Sequence, residues 1–89
     1  MRYPAFTMYD SVARVYTPPF FMASAAVAIR AFALAANTPD SKVGLSTSDF
    51  TLFEIGVFDD ETGAMEPIGA MINHGLAASF KKEIPHASE

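Results

Sequence analysis

The chain contains no cysteine. That excludes a disulfide framework and any metal site built on thiolates, and it fits a reducing cytosol. Basic residues are scarce: six Lys and Arg stand against ten Asp and Glu, a formal net charge of −4. Phosphate-backbone binding is usually driven by a basic surface. This composition therefore argues against a uniformly basic nucleic-acid binder and leaves a local patch, or a ring of several copies, as the route to DNA. The start Met1-Arg2-Tyr3-Pro4 lacks the apolar core of a signal peptide. The most apolar run, Phe20 to Ala36, is interrupted by Arg30. A span needs roughly 20 residues, and a central Arg costs about 2.5–3.5 kcal/mol on insertion scales, so no membrane role is expected. There is no glycine-rich phosphate loop and no GxSxG elbow. His74 and His86 are far apart and not spaced for zinc. An enzyme is not expected, and no cofactor or metal is implied.

What is present is an apolar load. Of 89 residues, 51% are hydrophobic and 12% aromatic. A chain this short buries only about 60–65% of its unfolded surface, so part of that load is expected to be covered by a second copy, giving at least a dimer. Residues 3–80 are expected to form a single α+β domain and 81–89 a polar, frayed tail.

The clearest pattern is Ser48 to Gly63, SDFTLFEIGVFDDETG. Aromatic and β-branched residues from Phe50 to Phe58 predict a strand, and Asp59 to Gly63 a turn. Strict alternation puts Thr51, Phe53, Ile55 and Val57 on one face and Phe50, Leu52, Glu54, Gly56 and Phe58 on the other. Both faces are largely apolar, which predicts a central strand covered on both sides. On that reading Phe53→Ala costs about 3–5 kcal/mol.

Before it, Tyr3 to Tyr9 reads as a first strand, Asp10-Ser11 as a turn and Val12 to Tyr16 as a short returning strand ended by Pro18-Pro19. The alanine-rich stretch Ser24 to Asn37 predicts a helix, with Ser24 as N-cap and Asn37 in the left-handed C-terminal position before Pro39. Asp40 to Asp49 reads as a polar loop tacked down by Val43 and Leu45. After the central strand, Gly63 is free to take positive φ, and Ala64 to Ile68 predicts a fourth strand cut short by Pro67. The fourfold spacing of Ile68, Ile72, Leu76 and Phe80 suits a short helix, but Gly69 and Gly75 favour a loop and a last strand, Leu76 to Lys81. The fold class is thus an antiparallel α+β domain, ordered β-β-α-β-β, with one helix packed on a small sheet.

The acids Asp59, Asp60 and Glu61 lack the alternate spacing of a calcium loop and read as a solvated turn. His74 reads as a partly exposed loop residue. The candidate nucleic-acid contacts are Arg2, Arg14 and Tyr16 around the first hairpin, with Tyr3 and Tyr9 beside them, and Lys81 and Lys82. Single-strand binders combine such cations with aromatic stacking platforms. Equally, the tyrosines pack the sheet and the arginines pair with nearby acids. The residues leave both readings open and favour the second.

Several segments together resemble a known family: Tyr9-Asp10, then PPFF (Pro18 to Phe21), AVAIRAF (Ala26 to Phe32) and DFTLFEIGVFDDETGAMEP (Asp49 to Pro67). Their order and spacing are similar to the small non-structural protein of gokushoviruses, single-stranded DNA phages of the microvirus family, encoded by the fifth reading frame and often labelled DNA-binding. The resemblance covers about residues 3 to 68. It implies an accessory role in viral DNA replication and packaging, at the switch to single-strand synthesis, in the cytoplasm of the bacterial host. The implied partners are single-stranded DNA and phage or host replication or packaging proteins. The alternative is an oligomeric protein-interaction or scaffolding module that never touches DNA. No catalytic residue is carried over. Arg30, in the matched AVAIRAF segment, is expected to cap the sheet or to pair with Glu54.

Overall fold

In the computed structural model, which describes residues 1–82, the alternating N-terminal segment is a nine-residue strand, β1 (Arg2–Asp10). The expected polar tail from residue 83 onward, with His86, lies outside the described residues. A turn over residues 11–14 returns the chain to β2 (Val15–Tyr16), and β3 (Phe20–Phe21) pairs further along the same edge of β1. The first hairpin turn is longer than the sequence suggests. The Asp10 carboxylate accepts from the N–H groups of Val12 and Ala13, and Arg14 takes φ +60°, so pairing resumes only at Val15. After the helices come β4 (Phe50–Asp59) and β5 (Met65–Leu76). The sheet is antiparallel throughout, in the order β2-β1-β4-β5, so β4 is central as its composition predicts. Among the described residues no helix is long and apolar enough to cross a membrane.

The helix α1 (Ala25–Ala36) forms where alanine dominates. Ser24 caps it, its Oγ accepting from Val27 N at 3.2 Å. Ala28, Phe32 and Ala36, one turn apart, bury against the sheet. They meet Phe6 of β1 and Phe50 and Leu52 of β4, with Val43 and Ala77 closing the ends. Phe6 and Leu52 are fully buried, Phe6 stacks on Phe20 at 5.9 Å, and Phe32 meets the edge of Phe80 at 5.8 Å.

The left-handed helix end expected at Asn37 does not form, since φ is −99°. The Asn37 side chain replaces it. Nδ2 donates to the Ala33 carbonyl (2.8 Å) and the Phe80 carbonyl (3.0 Å), and Oδ1 accepts from Lys82 N (2.7 Å). One amide thus closes the helix and ties the C-terminal segment to it. Each such bond is worth about 0.5–1.5 kcal/mol net. Asn37→Ala should therefore lower stability by about 2 kcal/mol in urea melts and expose the amide of Lys82 to hydrogen exchange.

The loop after α1 is more ordered than its polar composition suggests. Ser41 caps a four-residue helix, α2 (Lys42–Leu45). Val43 tacks it down, but Leu45 is 72% exposed.

Three irregularities in the sheet were not legible in the alternation, one of them a bulge in β5 at His74, between Asn73 opposite Phe53 and Gly75 opposite Leu52. Ala5 pairs with Gly56 and Phe6 with Glu54, so Ile55 is a bulge against β1. A bulge shifts the pleat by one residue. Gly56 and Phe58 therefore join the face of Phe53, not that of Leu52. On the other side Gly56 pairs with Pro67 and Glu54 with Ile72, so residues 68–71 loop out opposite Ile55. The expected fourth strand forms but is not cut short at Pro67, and the last strand Leu76 to Lys81 does not form. β5 instead runs on through Pro67 and Gly69 to Leu76, and a 3-10 helix, Ala77–Phe80, follows. Proline is tolerated because β5 is an edge strand that pairs only with β4.

Nor is β4 covered on both sides. The helices and the 3-10 turn all pack on the face of Phe6, Leu52 and Phe50, at one end of a molecule 56 Å long and 27 and 20 Å in its other dimensions.

Candidate interaction surfaces

Three surfaces follow from this arrangement. The first is the sheet face away from α1. Cross-strand partners share a face, as do residues two apart along a strand. Tyr9 opposes Tyr16, Thr7 opposes Phe53, Ala5 opposes Phe21, and Tyr3 opposes Phe58. This face therefore collects Tyr3, Tyr9, Tyr16, Phe21, Phe53 and Phe58. The rings touch in two groups: Tyr9–Tyr16 at 4.7 Å with Tyr16–Phe53 at 6.2 Å, and Phe21–Phe58 at 5.4 Å. Tyr16 and Phe21 remain 49% and 45% exposed. The same register places every charged strand residue (Arg2, Asp10, Glu54, Asp59 and Glu66) on the opposite, helix-side face. Among the described strand residues, none on the aromatic face is charged.

The second surface is cationic. Asn37 and Lys82 are common to two adjoining hollows of about 230 Å³ each at the C-terminal end of α1. Arg30 and Leu34 line one, Lys81 and Leu45 the other. Arg30 neither caps the sheet nor reaches Glu54: it is exposed, two residues from Ala28 and so turned away from the buried side of the helix. Among the described residues Arg14, Arg30, Lys81 and Lys82 form no ion pair.

The third surface is acidic. Asp59, Asp60, Glu61 and Glu66 crowd the tip of the β4–β5 hairpin, where Gly63 takes φ +75°. The Asp59 carboxylate accepts from Glu61 N at 2.9 Å, which holds it below its ordinary range, and the Met1 ammonium lies 2.6 Å from Asp60 and 3.7 Å from Glu61. Arg2 sits here too, paired with Glu66 at 3.1 Å.

The five residues picked from the sequence are therefore not gathered into one site. Arg2 lies at the acidic tip, Arg14 in the hairpin turn at the opposite end of β1, Tyr16 on the uncharged face, and Lys81 and Lys82 beside α1. The signal that finds Arg30 is helical phase: it falls outside the Ala28–Phe32–Ala36 stripe. Phe58 is found only once the bulge at Ile55 is known, and Phe21 only once β3 is seen to pair with β1. His74 is not a loop residue. It lies in β5, its Nε2 2.8 Å from Glu54 Oε1 and its ring tilted against Phe6, with both side chains mostly buried. That pair supplies Glu54 with a partner at the edge of the core, as a buried carboxylate requires.

A family profile described as phage ORF5 protein matches residues 3–78. The chain belongs to the phage ORF5 protein family. No curated protein and no solved structure matches it. The ORF5 match runs from β1 into the 3-10 helix, so it includes the whole aromatic face, the acidic tip and Arg30. Lys81 and Lys82 fall just beyond it. The motifs that resembled a phage protein all lie inside it.

Proposed function

We propose that this ORF5 protein is a non-catalytic accessory of viral DNA replication and packaging in a gokushovirus-like phage, working in the host cytoplasm and contacting single-stranded DNA through the cationic groove beside α1. The supporting observation is the convergence of Arg30, Lys81 and Lys82 on adjoining hollows in a chain that is otherwise acidic. A narrow groove with three cations and apolar walls at Leu34 and Leu45 suits a backbone flanked by unstacked bases. It lessens the objection raised by net charge, since four of the ten acids, Asp59, Asp60, Glu61 and Glu66, cluster at the far tip. Arg14 and Tyr16 belong to other surfaces and Arg2 is already paired, so Arg30 takes their place in the proposed contact set.

Fluorescence anisotropy of a labelled oligothymidine at several salt concentrations tests this. Binding should weaken with salt, with a log–log slope of about −0.7 per phosphate neutralised. The triple variant Arg30→Ala, Lys81→Ala, Lys82→Ala should flatten that slope by about 2. Absence of binding at low salt would leave the second reading, a protein-interaction module without DNA contact. The uncharged aromatic face is the observation that favours that reading.

A further inference from the structure

We infer that the aromatic face is covered by a second copy of this chain, packed face to face with its strands running in the opposite direction, so that each acidic tip lies over the partner's first hairpin turn. The inference is independent of DNA binding, which is assigned to the other side of the molecule.

Chemistry decides the kind of partner. A surface that bound nucleic acid would carry cations among its rings. Among the described strand residues this face has none: all the strand charges point the other way. Interface cores are depleted in charge and enriched in Tyr and Phe, and that is the composition here.

Size is consistent with a stable pair. β4 is ten residues long, about 33 Å at about 3.3 Å per residue, and four strands about 4.8 Å apart make a face roughly 19 Å wide. Two such faces brought together remove on the order of 1,200 Å², the lower bound of a stable specific interface.

Symmetry and charge decide the direction. A two-fold pair that buries the same face of both copies needs its axis in the plane of the interface. An axis along the strands would stack tip on tip and oppose Asp60 and Glu61, whose charge the single Met1 ammonium only partly offsets, with themselves. An axis nearly across the strands, perpendicular to the diagonal that joins the β4–β5 tip to the β1–β2 turn, sets each tip over the partner's first hairpin turn. There Arg14 sits in a turn held at φ +60°, with no ion pair among the described residues. Exposed pairs contribute little strength, so these charges choose the orientation while the rings supply the adhesion.

Sedimentation equilibrium of the full chain tests the pair. The expected mass is twice 9.6 kDa. Tyr16→Glu and Phe21→Glu replace half-exposed rings and should weaken association at least tenfold with an unchanged circular dichroism spectrum. Leu34→Glu, 69% exposed on α1, should leave it intact. Because the chain has no cysteine, direction can be read by cross-linking. The double variant Ala13→Cys with Thr62→Cys, which keeps every charge, should give covalent dimers with a short bismaleimide, and neither single variant should. A monomer at all concentrations, or a dimer broken by Leu34→Glu and not by Phe21→Glu, overturns the inference. Cross-linking of Thr62→Cys alone overturns the direction.

Discussion

Replacing Phe6 with alanine should lower the unfolding free energy by about 3–5 kcal/mol, read as a shift of the midpoint in urea with little change of slope. Phe6 is fully buried. It stacks on Phe20, leans on His74 and sits beneath α1 at the centre of the cluster that joins helix to sheet. Truncation removes the transfer energy of a benzyl group and leaves a cavity that strands on either side cannot close. Small domains hold about 0.05–0.15 kcal/mol of stability per residue, so this one substitution removes a large share of the total and leaves a measurable unfolded fraction at 37 °C. The contrast with Phe53 is informative. Alternation alone makes Phe53 a central-strand residue with the same expected loss. Its ring is instead half-buried on the uncovered face, in contact with Tyr16. Phe53→Ala should cost the isolated chain only about 1–2 kcal/mol, with a further loss in association.

The second large effect is expected at Gly44. A Cβ there would collide with the Thr38 carbonyl oxygen and stand 2.8 Å from its carbonyl carbon and 2.9 Å from Ser41 Oγ. None of these can give way cheaply. Ser41 Oγ donates to the carbonyls of Ala35 (2.7 Å) and Thr38 (2.9 Å) and accepts from Gly44 N (2.9 Å). A methyl group at 44 must therefore push α2 off its cap, with a loss of about 3 kcal/mol and a fall in Tm on the order of 10–20 °C. Gly69→Ala is the matched control, since nothing lies within 4 Å of a Cβ there and its φ is unremarkable. It should change stability by less than about 0.5 kcal/mol. Gly44 also lines the hollow beside Lys81 and Lys82, so a variant that still folds should bind oligothymidine less well.

These two residues mark the limits of what the sequence carries. The boundaries of α1 were written in Ser24 and Asn37, and β4 in its aromatic and β-branched run, because caps and propensities act over a few neighbouring residues. Register is not local. Nothing in FTLFEIGVF announces that Ile55 is a bulge, and that single residue moves Phe58 across the sheet. Pro67 was read correctly as a residue that cannot sit inside a sheet, yet it ends nothing, because the strand has no outer neighbour to disappoint. The spacing of Ile68, Ile72, Leu76 and Phe80 is a coincidence of helical period spread over a bulge, a strand and a 3-10 turn. Apolar residues on both faces of β4 were legible as such. What covers the second face is not encoded in β4, and for that reason Tyr16 could be read as a stacking platform as well as, with more support, a packing residue. Arg30 hid in plain view for a different reason: a lone charge in an alanine helix marks the solvent side only after the buried stripe has been chosen.

The looped-out residues 68–71 and Pro67 have a consequence for how far assembly can proceed. The outer border of β5 offers no straight row of amide donors and carbonyl acceptors for an incoming strand. The opposite border is broken up in the same way, by two-residue strands separated by Pro18 and Pro19. Sideways growth of the sheet is blocked at both margins. A protein with this much exposed aromatic surface would otherwise be a candidate for ribbons and fibrils when a phage drives its synthesis to high levels. Here stickiness is confined to one flat side, which a single encounter uses up, so concentrated solutions should stay clear and free of thioflavin-positive material.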